Sequence, residues 1–204
     1  PMSDNQLLDE IRTLIIAGHE TTALTLTWTW YLLSQSPEHF DKLLNEVNQK
    51  IQGPEPKFSE LEQLPFMDQV IDETLRLYPP AWLVPRKSLN DDLVGNYLIP
   101  AGSDIFISPY FLQRDPNVWE RPDDFWPERF ANEDHQPHKL SYIPFSAGPR
   151  KCIGDHFSLI EMKIHLCMLI KKFKLMPTKN GPIELEPQVN LRNKYPIYMN
   201  VYSS

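Results

Sequence analysis

Cysteine and glycine are both scarce in this chain: 204 residues contain two cysteines and seven glycines. Cys152 and Cys167 alone give no disulfide framework, so a reducing compartment is expected rather than secretion. Basic residues also fall short. Twenty lysines and arginines against 27 acids leave a net charge of −7, and a nucleic-acid-binding surface needs a basic face. No signal peptide is visible. No clean membrane-spanning run exists either. Thr13 to Leu33 comes nearest, but it holds His19, Glu20 and several threonines. A carboxylate near the middle of a spanning helix costs roughly 2.5–3.5 kcal/mol on insertion scales. A long helix buried inside a soluble, cytoplasmic protein is the expectation.

What the chain has in excess is proline, twenty residues of it, crowded between Pro79 and Pro149. That third should be irregular and turn-rich. Apolar residues make up 41%, enough for one sizeable domain with a core. Ser3-Asp4 can cap a helix running to about Gln35, surrounded by apolar residues and therefore covered on nearly all sides. Ser36-Pro37-Glu38 starts a second helix reaching about Ile51. Ser59 to Glu62 suggests a helical turn, and a third long helix runs from about Pro65 to Tyr78, where Pro79-Pro80 stops it. Trp82–Arg86, Leu93–Ile99 and Asp104–Ser108 read as strands, with turns at Gly95-Asn96 and Ala101-Gly102. A last helix spans about Ile153 to Lys174, and Ile197–Val201 is a closing strand. The fold class is mainly α with small β-sheets.

The stretch FSAGPRKCIG, residues 145 to 154, surrounds one thiol with special backbone. Gly148 permits a conformation closed to other residues, and Pro149 stiffens the loop. Cys152 lies at the mouth of the last helix, whose free N–H groups and dipole favour a thiolate. Gly154 removes a side chain where something flat must approach, and Arg150 can meet an anionic group. A thiolate beneath a planar, carboxylate-bearing metal cofactor, haem, satisfies all of these. A lone cysteine is ordinarily a buried structural thiol. The five spacings of F-x-x-G-x-R-x-C-x-G, from Phe145 to Gly154, have chance odds on the order of 10⁻⁴ to 10⁻⁵ and weigh against that here. Cys167 falls in the apolar pattern of the last helix and reads as core.

A second irregularity is Ala17-Gly18-His19-Glu20-Thr21-Thr22. Gly18 inside a helix costs roughly 1 kcal/mol against alanine, and a buried Glu20 must be paired or wet. Such violations are expected at functional sites. The zinc motif H-E-x-x-H would need histidine where Ala23 stands.

On these residues the chain resembles the cytochrome P450 family of haem-thiolate monooxygenases. The resemblance implies haem b with Cys152 as axial iron ligand, and Arg150 and Arg86 as propionate partners. Ala17 and Gly18 would flank an oxygen pocket. Glu20 and Thr21 would be an acid–alcohol pair delivering protons, with Thr22 packing the helix and His19 at a variable position. Glu73-Thr74-Leu75-Arg76 resembles the family's E-x-x-R, joined in space by Arg129 of Pro127-Glu128-Arg129-Phe130 as a structural ion cluster. Gln113 stands where relatives often carry a histidine near the haem, which leaves one propionate contact in doubt. Ala81, Trp82, Leu83 and Val84 resemble a substrate-pocket segment, and their apolar character suggests an apolar substrate.

The implied partners are that substrate, dioxygen, and a ferredoxin, flavodoxin or flavoprotein reductase passing electrons ultimately from NAD(P)H. Lys151, Lys163, Lys171 and Lys172 could form its docking patch, or be ordinary surface lysines. The resemblance covers only the later part of the family's chain. The 204 residues read as a carboxy-terminal haem-binding portion lacking its amino-terminal half. Alone it would be inactive, with a large apolar patch exposed. Two other readings stand beside this one: a haem-thiolate enzyme that uses or rearranges peroxide, and a non-catalytic binding or scaffold module.

Overall fold

Ser3 opens the first helix with a reciprocal cap. Its hydroxyl accepts the Gln6 N–H (3.3 Å), and the Gln6 side chain accepts the Ser3 N–H (2.9 Å). In the computed structural model, which describes residues 2–131, 140–178 and 183–203, the resulting helix α1 spans Asp4–Gln35. At 1.5 Å per residue it is about 48 Å long. Five of its threonines are satisfied locally: Thr13, Thr21, Thr25, Thr27 and Thr29 each donate to the carbonyl four residues back. A polar run can in this way enter a core with most of its hydroxyls partnered, Thr22 being the exception.

Proline at the first turn starts α2 (Pro37–Lys50) and α4 (Pro65–Leu77), with the short α3 (Phe58–Leu61) between them. The start of α4 is capped from outside, because Glu46 of α2 accepts the N–H groups of Phe66 (2.8 Å) and Met67 (2.9 Å). Burial and Asp68 raise the Glu46 carboxyl above its ordinary value, while those N–H groups oppose the shift. The core lies where the carboxy-terminal half of α1 meets α2, α4 and α6 (Asp155–Ile170): Leu33, Leu43, Val47, Val70, Ile71 and Leu166 are buried there.

Around this core lie four two-stranded antiparallel sheets, counted among the described residues. They pair β1 (Val84–Lys87) with β4 (Asp104–Ile107), and β2 (Asp92–Val94) with β3 (Tyr97–Ile99). They also pair β5 (Phe173–Pro177) with β8 (Met199–Ser203), and β6 (Leu185–Pro187) with β7 (Leu191–Asn193). The chain is thus mainly helical with small sheets. Gly95 takes φ +60° in the tight β2–β3 turn. Between β4 and α6 the described residues form α5 (Pro109–Leu112) and two 3-10 turns, Pro127–Phe130 and Gly148–Arg150.

Two expectations need correction. The last helix stops at Ile170 rather than near Lys174, because Phe173–Pro177 pairs with the chain's final strand. And α1 is not covered on nearly all sides. Its first seventeen residues are all exposed, including Leu14, Ile15 and Ile16 at 62–71%, because no described element packs on them. No helix among the described residues is long and apolar enough to cross a membrane.

Candidate active site

The loop before α6 is built by its backbone. Ser146 (φ 62°) and Gly148 (φ 76°) both occupy the left-handed region. Gly148–Arg150 forms a 3-10 turn, and the Cys152 N–H donates to the Phe145 carbonyl (2.9 Å). The loop thus closes on itself and presents Cys152 as an exposed free thiol, two residues ahead of the Gly154 cap of α6. The helix end is already occupied by an anion. Asp155 accepts the His156 N–H (2.7 Å) and pairs with Lys151 (2.5 Å). Lys151 and that N–H hold its carboxyl below the usual range. Cys152 thus precedes a helix start whose first acid is already paired.

Protein packing does not explain the glycines here. A Cβ on Gly154 would meet only the Cys152 sulfur, at an ordinary 3.9 Å, and one on Gly18 or Gly148 would meet nothing. Ile153 and Phe157, one and five residues after Cys152, are 91% and 73% exposed. An exposed thiol with exposed apolar side chains close by in the chain fits a large flat group such as haem. One thiolate suits an iron whose other ligands come from a macrocycle. Cys167, in contrast, is buried, and desolvation pushes its thiol up to about 11.

Three contacts connect distant site residues. Arg86 donates to the Ser146 hydroxyl (3.1 Å) and to the Pro85 carbonyl (2.9 Å), tying β1 to the cysteine loop. Trp82 donates to the Gln188 carbonyl (2.8 Å), tying the Ala81–Val84 segment to the β6–β7 hairpin. Asn190, at the hairpin tip, donates to the Glu20 carboxylate (2.7 Å). Glu20 is therefore exposed and partnered, which corrects the expectation of a buried acid. Thr21 donates to the Ala17 carbonyl (2.7 Å). Thr22 is buried with its hydroxyl unpartnered. Ala17, Gly18 and Arg150 are exposed.

Glu73 and Arg76 are fully buried, and Arg129 nearly so. Arg76 grips Glu73 with two hydrogen bonds (2.7 and 2.8 Å), Arg129 adds one (3.1 Å), and the Trp126 N–H adds another (2.9 Å). The remaining guanidinium N–H groups go to carbonyls: Arg76 to Gln113, Pro122 and Asp124, Arg129 to Glu120 and Arg121. This cluster pins α4 to the irregular segment. Beside it, the buried Tyr142 hydroxyl donates to Asp72 (2.9 Å), whose carboxyl burial raises to about 6.

Gln113, where a propionate contact was in doubt, is committed to the protein itself. It is fully buried, donates to the Leu75 and Arg76 carbonyls (both 3.1 Å) and accepts the Ile143 N–H (2.9 Å). Its amide is spent joining α4 to the cysteine loop's approach, so it has nothing left for a propionate. Two of the four lysines are also committed inward. Lys163 donates to the Leu61 carbonyl and pairs with Asp68, and Lys171 donates to the Ile51 and Gly53 carbonyls. An open groove between α2 and α4, lined by Lys42, Glu46 and Phe66, shares none of the expected site residues.

Sequence reasoning missed Asn190, Ser146, Tyr142 and Asp72. The first lies 170 positions from its partner, and no local pattern could have linked them.

Comparison with known proteins bears on these features. Cyclooctatin synthase from Streptomyces melanosporofaciens is 39% identical over 191 residues, covering 93% of this chain and 42% of the relative. Carotene epsilon-monooxygenase, chloroplastic, from Arabidopsis thaliana is 36% identical over 205 residues, covering 98% and 38%. Thromboxane-A synthase from Macaca fascicularis is 37% identical over 208 residues, covering 100% and 39%. The chain spans about two-fifths the length of these curated relatives. With the model of the family described as Cytochrome P450 matching residues 1–201, and Cys152 presented as an exposed free thiol, the chain belongs to the cytochrome P450 family.

Proposed function

We propose that this chain is the haem-binding portion of a monooxygenase that places one atom of dioxygen into an apolar organic substrate. The supporting observation is Cys152: exposed, held by its own N–H on the Phe145 carbonyl, and beside Gly154, where a Cβ would make only an ordinary contact with the sulfur. Haem b bound there would supply the iron that activates dioxygen, with the thiolate lending electron density. Everything else is the chain's own work. Cys152 holds the cofactor from below. Arg86, already oriented toward the loop by Ser146, and the exposed Arg150 neutralise its carboxylates. Ala17 and Gly18 leave room for oxygen against α1.

Glu20 and Thr21 manage protons. The Thr21 hydroxyl proton rests on the Ala17 carbonyl (2.7 Å), which leaves its oxygen free to accept. Glu20 is open to solvent and can recharge it. Ala81 to Val84 line the substrate side. The overall change consumes substrate C–H, dioxygen, two electrons and two protons, and yields alcohol and water. The electrons come ultimately from NAD(P)H through a ferredoxin, flavodoxin or flavoprotein reductase. Lys151 and Lys172 remain as exposed docking cations. The Glu73 cluster serves folding and cofactor retention. The relatives, one monooxygenase and two synthases by name, leave the substrate to be identified.

The test is haem titration of the full-length protein, followed by a reduced carbon monoxide spectrum. A thiolate-type band in the native protein, absent from Cys152→Ser, is expected. An unchanged spectrum in that variant would end the assignment. Product formed with reductase and oxygen separates this reading from one driven by peroxide alone. Failure of haem uptake would favour a scaffold.

A further inference from the structure

The hairpin tip between β6 and β7 is held at three points that belong to different parts of the chain. The Leu191 N–H donates to the Pro80 carbonyl (2.9 Å), the Gln188 carbonyl accepts from Trp82 (2.8 Å), and Asn190 donates to Glu20 (2.7 Å). An ion pair between Arg192 and Glu186 (2.8 Å) stiffens the hairpin, and Leu191 is buried at its base. Val189, between the two anchoring residues, is 93% exposed. The tip thus connects the apolar Pro80–Trp82 segment to the one carboxylate beside Thr21. Among the described residues, Glu20 is the hydrogen-bond partner of the Asn190 side chain. An amide–carboxylate contact at this distance is a charge-assisted hydrogen bond, stronger than a neutral one.

We propose that Asn190 is a positioning residue that fixes the Glu20 carboxylate and couples it to the hairpin tip. A substrate pressing on Val189 or Trp82 is thereby felt at the proton-supplying acid. The contact itself is structural; its catalytic meaning rests on the proton role given to Glu20 above. A turn former alone would not need this amide, because Asp is as well suited to a turn as Asn.

That difference sets the experiment, done on the full-length ferric protein by hydrogen–deuterium exchange over residues 185–193. Asn190→Asp places a second carboxylate against Glu20 and should raise exchange about three- to tenfold, in keeping with the net worth of a typical solvent-exposed hydrogen bond. The double variant Glu20→Gln with Asn190→Asp reverses donor and acceptor and should restore native exchange. Native-like exchange in Asn190→Asp, or no restoration in the double variant, overturns the proposal.

A second readout addresses the role of the acid. Electrons lost to hydrogen peroxide instead of product should rise in Asn190→Ala and in Glu20→Gln. They should stay high in the exchange-restored double variant, because glutamine has no proton to relay. Leakage unchanged in Glu20→Gln would refute the proton role of Glu20 and the coupling with it. Leakage raised in Glu20→Gln but not in Asn190→Ala would refute the coupling alone.

Discussion

Glu73 gathers two guanidinium groups and a backbone N–H on one buried carboxylate, so its value lies in what its removal would strand. Glu73→Ala leaves Arg76 and Arg129 charged, buried and without their shared acid. Losing one member of such a cluster costs roughly 3–5 kcal/mol. A large fall in thermal midpoint with early haem loss is expected, and a midpoint within a degree or two of native would contradict it. Next to it, Asp72 gives a pH signature. Its folded carboxyl sits at about 6 against an ordinary 3.8, mainly through burial. The folded state therefore binds more protons than the unfolded between those values, and stability from this group falls as pH rises from about 4 to 6. Asp72→Asn keeps an acceptor for Tyr142 and removes that loss. The variant should gain on the native protein across that window and run parallel above it. A stability difference flat from pH 4 to 7, measured by denaturant titration, would show that Asp72 does not titrate this way. Motif spacing made Glu73, Arg76 and Arg129 legible. Asp72 and Tyr142 were not, since a half-buried acid looks like any helix-surface acid until its partner from the distant loop is placed.

Helix starts were written in short-range chemistry. Ser3 with Gln6, Pro37 and Pro65 act within one turn, and α1, α2 and α4 begin where those residues stand. The ends of α1, α2 and α4 were legible too, within a residue of Gln35, Ile51 and Tyr78, but the end of α6 was not. Nothing local stops α6 at Ile170; the next residues alternate polar and apolar, Lys172-Phe173-Lys174-Leu175, and become a strand because β8 is there to pair with them. Gln113 shows the same limit at a junction of elements. Its one amide joins the end of α4 to the approach of the cysteine loop through three hydrogen bonds. Gln113→Ala strands the buried Ile143 N–H and weakens the end of α4. Each unsatisfied buried group costs about 1–3 kcal/mol. The variant should unfold at lower denaturant concentration and exchange the Ile143 amide faster. Unaltered exchange there would show that the tether is dispensable.

For the 204 residues as a unit, the dominant feature is the uncovered half of α1. Leu7, Leu8, Ile11, Leu14, Ile15 and Ile16 are 44–71% exposed, and an apolar face of that extent promotes association. The chain by itself should bind a hydrophobic dye and self-associate. Charged substitutions at Leu14 and Ile15 should lower both without loss of helical signal. A monomer that ignores the dye would remove this account. The sequence by itself determined the helix starts, the fold class, the cysteine loop and the acidic–arginine motif, because each rests on interactions within a few residues or on a spacing that chemistry makes rare. Only the tertiary structure decided that Asn190 meets Glu20, that Gln113 is a tether rather than a cofactor contact, and that Lys163 and Lys171 turn inward. Those partners are 30 to 170 positions apart. Contacts at such separations are set by how the elements pack, and no local pattern records them.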